Sequence, residues 1–304
     1  MTAVMDLRQG EAERSLLGLA AALTGNFMFA SSDAIVKVLS AHYSVFQLIV
    51  TQASFALIPI FGMILYEGGF AGMRVKNPKL ILLRGLLAGT GTIFGFFSFS
   101  QLPLAETYSI FFCTPILVTI LSVPILGEKV GIHRWAAVLV GLVGIIVMVR
   151  PGFVSLHLGH AAAMVSAITG AFTVLLMRRI AREEHPAVMV IAVVTGLITV
   201  SLPGMIWTFR MPTLHDLTLF ATGGMLIGVG QFLIVRSLKL APASVVAPMQ
   251  YSMMIWALSY GYLLFGTSID PLVVTGAAIV VASGLYIMQR ERLRSRRSPR
   301  FSGG

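Results

Sequence analysis

The sequence predicts an all-α fold, a polytopic membrane protein with ten transmembrane helices arranged as two inverted five-helix repeats. Three observations predict it. Hydrophobic residues make up 57% of the 304 and charged residues 11%, against about 45–50% and about 25% in soluble domains. Apolar runs long enough to cross a bilayer recur along the whole chain. The stretch from Gly85 to Gly127 is also stated twice: moved forward 139 residues (85 to 224), it lays Gly85 on Gly224, Gly89 on Gly228, Gly91 on Gly230, Pro103 on Pro242 and Gly127 on Gly266. Small residues in such register let helices approach closely inside lipid.

Taken in order, residues 1–15 form a polar N-terminal segment expected in the cytoplasm. The apolar run that follows is too long for the core of a signal peptide and has no convincing cleavage site, so it is retained as the first span. A crossing helix needs about 20 residues, and ten segments qualify: 16–40, 45–66, 80–101, 105–126, 132–149, 156–177, 187–208, 214–238, 243–265 and 271–288. The first repeat covers 16–150 and the second, inverted, covers 151–289; a basic tail occupies 290–304. Connections are short, which leaves no room for a soluble domain.

Charge orients the spans. With the N-terminus in the cytoplasm, nineteen of the twenty-two Lys and Arg residues fall on the inner side, and only Lys37, Arg150 and Arg210 fall outside. Positive charge gathers on the cytoplasmic side of membrane proteins, so the count supports ten spans with both termini inside. Five helices per copy is an odd number, so the second copy must enter from the opposite face. A central site shared by inverted halves can open to either side in turn; a purely structural duplication is the alternative. The net charge of +10 sits between apolar runs and in the tail RERLRSRRSPR. It reads as membrane orientation and an anchor to anionic lipid headgroups, not as a nucleic-acid surface. The one cysteine, Cys113, lies in an apolar run and cannot form an internal disulfide.

Several stretches together resemble the drug/metabolite transporter superfamily, and within it the EamA-like ten-helix bacterial exporters. They are SSDAIVKVLS at the end of the first span, LPLAETYSIFFCTPILVTILSVPILGE across the third and fourth, GLVGIIVMVRPG closing the first half, and the basic tail. The resemblance covers nearly the whole chain and implies an inner-membrane exporter of small metabolites, amino acids first. Two positions depart from the family pattern. Gln52 stands where many relatives carry an arginine early in the second span, and Gly266-Thr267 stands where the first copy has Gly127-Glu128.

An ionisable group inside a span is costly and marks a functional candidate. Asp33 and Lys37 lie four apart on one helical face with Asn26, a polar stripe that suits a water-filled cavity. Asp33 is the candidate for substrate recognition or proton coupling; Lys37 either pairs with it or snorkels outward. Thr92 falls on Gln231 and Phe112 on Tyr251 at the repeat spacing. Gln250 and Tyr251 follow Pro248, which loosens the local ladder. Phe94, Tyr108, Phe112, Tyr251 and Trp256 offer an aromatic lining, with ordinary packing as the competing account. The candidate substrate-binding set is therefore Asn26, Asp33, Thr92, Phe94, Tyr108, Phe112, Gln231, Gln250, Tyr251 and Trp256.

Other charges have simpler explanations. Glu106 opens the fourth span, where a carboxylate favours the helix dipole, Glu128 is interfacial, and Arg236 snorkels or meets an anionic substrate group. His157 and His160 have helical spacing, but with no acid or cysteine close in sequence they carry no metal site. Neither a Walker loop nor a Gly-x-Ser-x-Gly elbow is present. No cofactor, metal or enzymatic role is expected. The expected partner is a small-molecule substrate moved by alternating access, either passively or against protons. Export of other metabolites or cationic drugs is the alternative in the same class, and a channel is the alternative outside it. Ten helices can enclose a pathway within one chain, so a monomer is expected.

Overall fold

Apolar runs bounded by proline, glycine and short polar turns become helices in the computed structural model, which describes residues 2–66, 69, 73–127, 131–149, 157–180, 183–268 and 270–297. In chain order they are α1 (Thr2–Leu39), α2 (Val45–Tyr66), α3 (Pro78–Gln101), α4 (Leu104–Phe111), α5 (Thr114–Leu126), α6 (Ile132–Val149), α7 (Leu158–Ile180), α8 (Pro186–Thr208), α9 (Leu214–Leu240), α10 (Ala243–Val246), α11 (Ser252–Phe265) and α12 (Pro271–Arg297). A 3₁₀ turn, Ala247–Tyr251, joins α10 to α11. Glu128 and Arg150 lie outside the described residues, as do the side chains of the N-terminal segment up to residue 12 and of the tail from 290 onward.

Seven helical stretches are long and apolar enough to cross a bilayer, with Leu104–Leu126 counted as one. The shorter α6, the interrupted stretch 243–265 and the apolar part of α12 complete ten crossings. Polar contacts between helix ends obey the alternation that ten crossings require. On one face, Tyr43 donates to Asp216 Oδ2 at 2.7 Å, and the Gln47 amide both donates to and accepts from the Arg210 backbone at 2.6 and 2.9 Å. On the opposite face, Glu184 Oε1 accepts the N–H groups of Lys76 and Asn77 at 2.9 and 2.6 Å, which satisfies donors at the start of α3.

The two copies are related as an exchange. α1 lies along α9 and α7 along α3; α2 packs on α9 and α8 on α3; α2 meets α8, and α6 meets α12. Glycines permit these contacts. A Cβ on Gly89 would stand 2.7 Å from the Gly196 carbonyl oxygen, and one on Gly228 would stand 2.7 Å from that of Ala56. The fourth helix of each copy stops alike, at Gly127 (φ 67°) and Gly266 (φ 61°), in the left-handed conformation that glycine adopts without strain.

Two of the ten expected spans are not continuous helices. The expected span 105–126 breaks at Phe112–Cys113, and 243–265 breaks over the 3₁₀ turn. Proline explains both: the rings of Pro115 and Pro248 crowd the carbonyl four residues earlier and supply no backbone donor. The ladder tightens there, with the Cys113 N–H reaching only to the Ile110 carbonyl at 2.9 Å.

Candidate functional site

The two breaks face each other in the middle of the bundle. Phe112 ends the first half-helix and Tyr251, its repeat counterpart, ends the 3₁₀ turn; their ring centroids are 5.2 Å apart. Tyr108 continues the aromatic contact, 6.3 Å from Phe112 and 5.6 Å from Phe99.

The polar stripe of α1 reaches three different elements around this centre. Asn26 donates to the Met249 carbonyl in the 3₁₀ turn at 2.7 Å. Asp33, half-buried, accepts the hydroxyl of Tyr108 on α4. Lys37 neither pairs with Asp33 nor reaches outward. Its ammonium donates to the carbonyls of Phe99 and Leu102 at 2.9 and 2.6 Å, where α3 ends with unpaired acceptors. The Phe265 ring lies 5.5 Å from the same ammonium.

A second line of contacts runs beside the first. Phe27 meets Trp256 edge-on at 4.9 Å, and Ser31 shares a hydrogen bond of 2.6 Å with Tyr260. Phe27, Ser31 and Tyr260 were not singled out from the sequence. The available signal is their spacing, since Phe27 and Ser31 on α1 repeat the four-residue step of Trp256 and Tyr260 on α11.

Of the sequence candidates, Asn26, Asp33, Tyr108, Phe112, Tyr251 and Trp256 are therefore brought to the centre. The other four lie apart from these contacts. The Thr92 hydroxyl donates to the Ala88 carbonyl of its own helix at 2.9 Å, and Phe94 is 37% exposed. Gln231 is half-buried on α9, and Gln250 is exposed on the 3₁₀ turn.

An acid does lie close to the histidine pair in space. His160 Nε2 is 2.7 Å from Glu106 Oε1, and the His157 N–H donates to His160 Nδ1 at 3.1 Å. With Nδ1 accepting, the neutral ring donates its Nε2–H to Glu106 and ties α4 to the start of α7. No group of three candidate metal ligands occurs among the described residues. Glu106 also lines a cavity of about 250 Å³ between the ends of α4, α11 and α12, with Leu104, Ala257 and Thr267 among its walls. At the opposite end, Arg236 donates to the Tyr66 hydroxyl at 3.2 Å, so its head is held at the end of α2.

The EamA-like transporter family model matches twice, over residues 16–150 and again over 157–289. The chain belongs to the EamA-like transporter family. Among its relatives are an S-adenosylmethionine uptake transporter of Rickettsia bellii, 24% identical over 86% of this chain and 90% of that one, and the pseudopaline exporter CntI of Pseudomonas aeruginosa, 23% identical over 90% and 97%. A riboflavin transporter of Rhizobium johnstonii is 26% identical over 75% of this chain and 76% of its own length. One solved crystal structure superposes with a TM-score of 0.63 over 94% of this chain and 99% of the other at 18% identity, a likeness of fold alone. This EamA-like chain is thus a multi-pass membrane transporter of small metabolites, built from two related five-helix halves.

Proposed function

We propose that this transporter carries amino acids and related ammonium-bearing metabolites by alternating access, with net export across a bacterial inner membrane. The observation that carries the reading is the carboxylate of Asp33 held by Tyr108 where the two broken helices meet. A carboxylate there offers charge-assisted acceptance to a substrate ammonium, and the rings of Tyr108, Phe112 and Tyr251 suit an apolar or aromatic body with a cationic head. Discontinuous helices at the interface of inverted repeats are where carriers place their binding sites. Lys37 is occupied by the end of α3, so the centre is complementary to positive charge. S-adenosylmethionine, named for one relative, is by its name a methionine derivative, which agrees with this class.

In this reading both termini face the cytoplasm, the tail holds anionic headgroups, the halves divide at 16–150 and 151–289, and one chain forms the complete pathway. The test is counterflow of radiolabelled amino acids into liposomes containing the purified protein. Native protein moves at least one of them and Asp33→Asn abolishes that movement, while movement unchanged in Asp33→Asn would remove the carboxylate from the site.

A further inference from the structure

Two donors beside the Asp33 site have no partner among the described residues: the indole N–H of Trp256 and the hydroxyl of Ser252. Both polar atoms are sealed from solvent. They stand four residues apart on α11 and so share one of its faces. α11 begins at Ser252, so the positive end of its dipole lies at the same place. A buried donor without an acceptor keeps its full desolvation cost and needs an explanation.

Their surroundings tie them to the centre. The Trp256 ring is fixed against Phe27 of α1. Ser252 follows Tyr251, whose ring rests on Phe112 and through it on Tyr108, the partner of Asp33. The unpaired donors and the carboxylate therefore flank one aromatic group. The nearest cation of the α1 stripe, Lys37, is committed to two carbonyls, so recognition of a negative group at the centre falls to neutral donors.

We propose that Trp256 Nε1 and Ser252 Oγ receive the carboxylate of the substrate while Asp33 receives its ammonium, so that the centre selects zwitterionic α-amino acids over simple amines. This rests on the amino-acid reading above and names the half of the substrate that reading leaves unrecognised. The chemistry is complementary, because an ionised aspartate only accepts and an indole only donates. The spacing agrees: Asp33 is six residues beyond Phe27 on α1, about 9 Å along the helix. An α-amino acid with a hydrogen bond of about 3 Å at each charged end spans a similar length.

The experiment uses the full chain in liposomes. A panel of radiolabelled amino acids identifies one that shows counterflow, and its decarboxylated amine is then measured beside it. Native protein should show a KM for the amine about tenfold above that for the amino acid. Trp256→Phe keeps a ring and removes the N–H; Ser252→Ala removes the hydroxyl. Each should raise the KM for the amino acid about tenfold and leave that for the amine unchanged. Equal KM values for amino acid and amine on native protein overturn the assignment even where Trp256→Phe fails to fold. If native protein carries amino acids and both variants keep the native KM, the carboxylate receptor is overturned while the carrier reading stands. If no amino acid moves through native protein, the underlying reading falls and this one with it.

Discussion

Adding one methyl group at Gly89 or at Gly228 tests the inverted packing at two matched points. A Cβ at either position would stand 2.7 Å from a backbone carbonyl oxygen, of Gly196 on α8 or of Ala56 on α2, where ordinary contact begins at 3.4 Å. Neither obstacle is the end of a flexible side chain, so the helices must part by roughly 0.7 Å, the difference between those two distances. Overpacking of this kind costs about 1–3 kcal/mol. Replacing glycine by alanine inside a helix returns up to about 1 kcal/mol. The net loss is therefore roughly 1–2 kcal/mol at each site. At about 2–4 °C per kcal/mol in chains of about 150–250 residues, Gly89→Ala and Gly228→Ala should each lower the thermal midpoint of detergent-solubilised protein by several degrees. Gly62→Ala is the control, since nothing lies within 4 Å of its Cβ, and it should be neutral or slightly stabilising. A midpoint unchanged in either of the first two, or lost equally in the control, would refute the close-contact account.

Four further outcomes follow from the contacts. Lys37→Met leaves the carbonyls of Phe99 and Leu102 uncapped and should cost about 2–4 kcal/mol, read as a lower midpoint; a neutral result would mean that the end of α3 needs no cap. Glu106→Gln and His160→Gln, combined in a double-mutant cycle, should show coupling of about 0.5–3 kcal/mol, and simple additivity would separate the two side chains. In a Cys113→Ala background, Met211→Cys and Val75→Cys should react with an impermeant thiol reagent from opposite sides of the membrane, because both native residues are exposed, at 84% and 52%; labelling from one side would break the ten-crossing topology. Gln52→Leu should raise the midpoint, since it replaces a buried amide that has no partner among the described residues, and a drop would show that the amide is paired.

Most of the architecture is written in the sequence because lipid imposes a length rule and the duplication imposes a register. Gly127 and Gly266 end matched helices, and the Gly85–Gly91 face returns at Gly224–Gly230. The breaks were only half legible. Pro248 pointed to one, whereas Pro115 sits inside a run apolar enough to read as unbroken helix. Asp33 and Tyr108 were legible as candidates but not as partners, since a span of 75 residues separates them and hydropathy carries no distance. Lys37 misled for a related reason: its helical neighbour Asp33 lies four residues away, yet the carbonyls it caps belong to a helix more than 60 residues on. Thr92 and Gln231 were matched by repeat arithmetic, which finds equivalent positions without saying which way their side chains point.

The repeat is symmetric in backbone and not in polar filling, and the difference falls at one pair of matched slots. Position 84 on α3 corresponds to 223 on α9, 139 residues on. In the first copy it is an arginine that reaches between α7 and α8, donating to the Met189 carbonyl and lying 3.9 Å from the Met177 sulfur. In the second copy it is a glycine, and the amide of Gln52 from α2 occupies the place where a side chain at 223 would go. Each slot is thus filled by one long polar side chain, from α3 at one end and from the opposing helix α2 at the other. The guanidinium is long enough to find a carbonyl across the helix gap, while the shorter amide finds neither donor nor acceptor among the described residues. Packing at the Arg84 end is therefore bolted by a charged donor, and packing at the Gln52 end rests on shape alone. In a carrier that must open its two ends in turn, this unequal filling makes the Gln52 end the one whose helices separate at the lower cost.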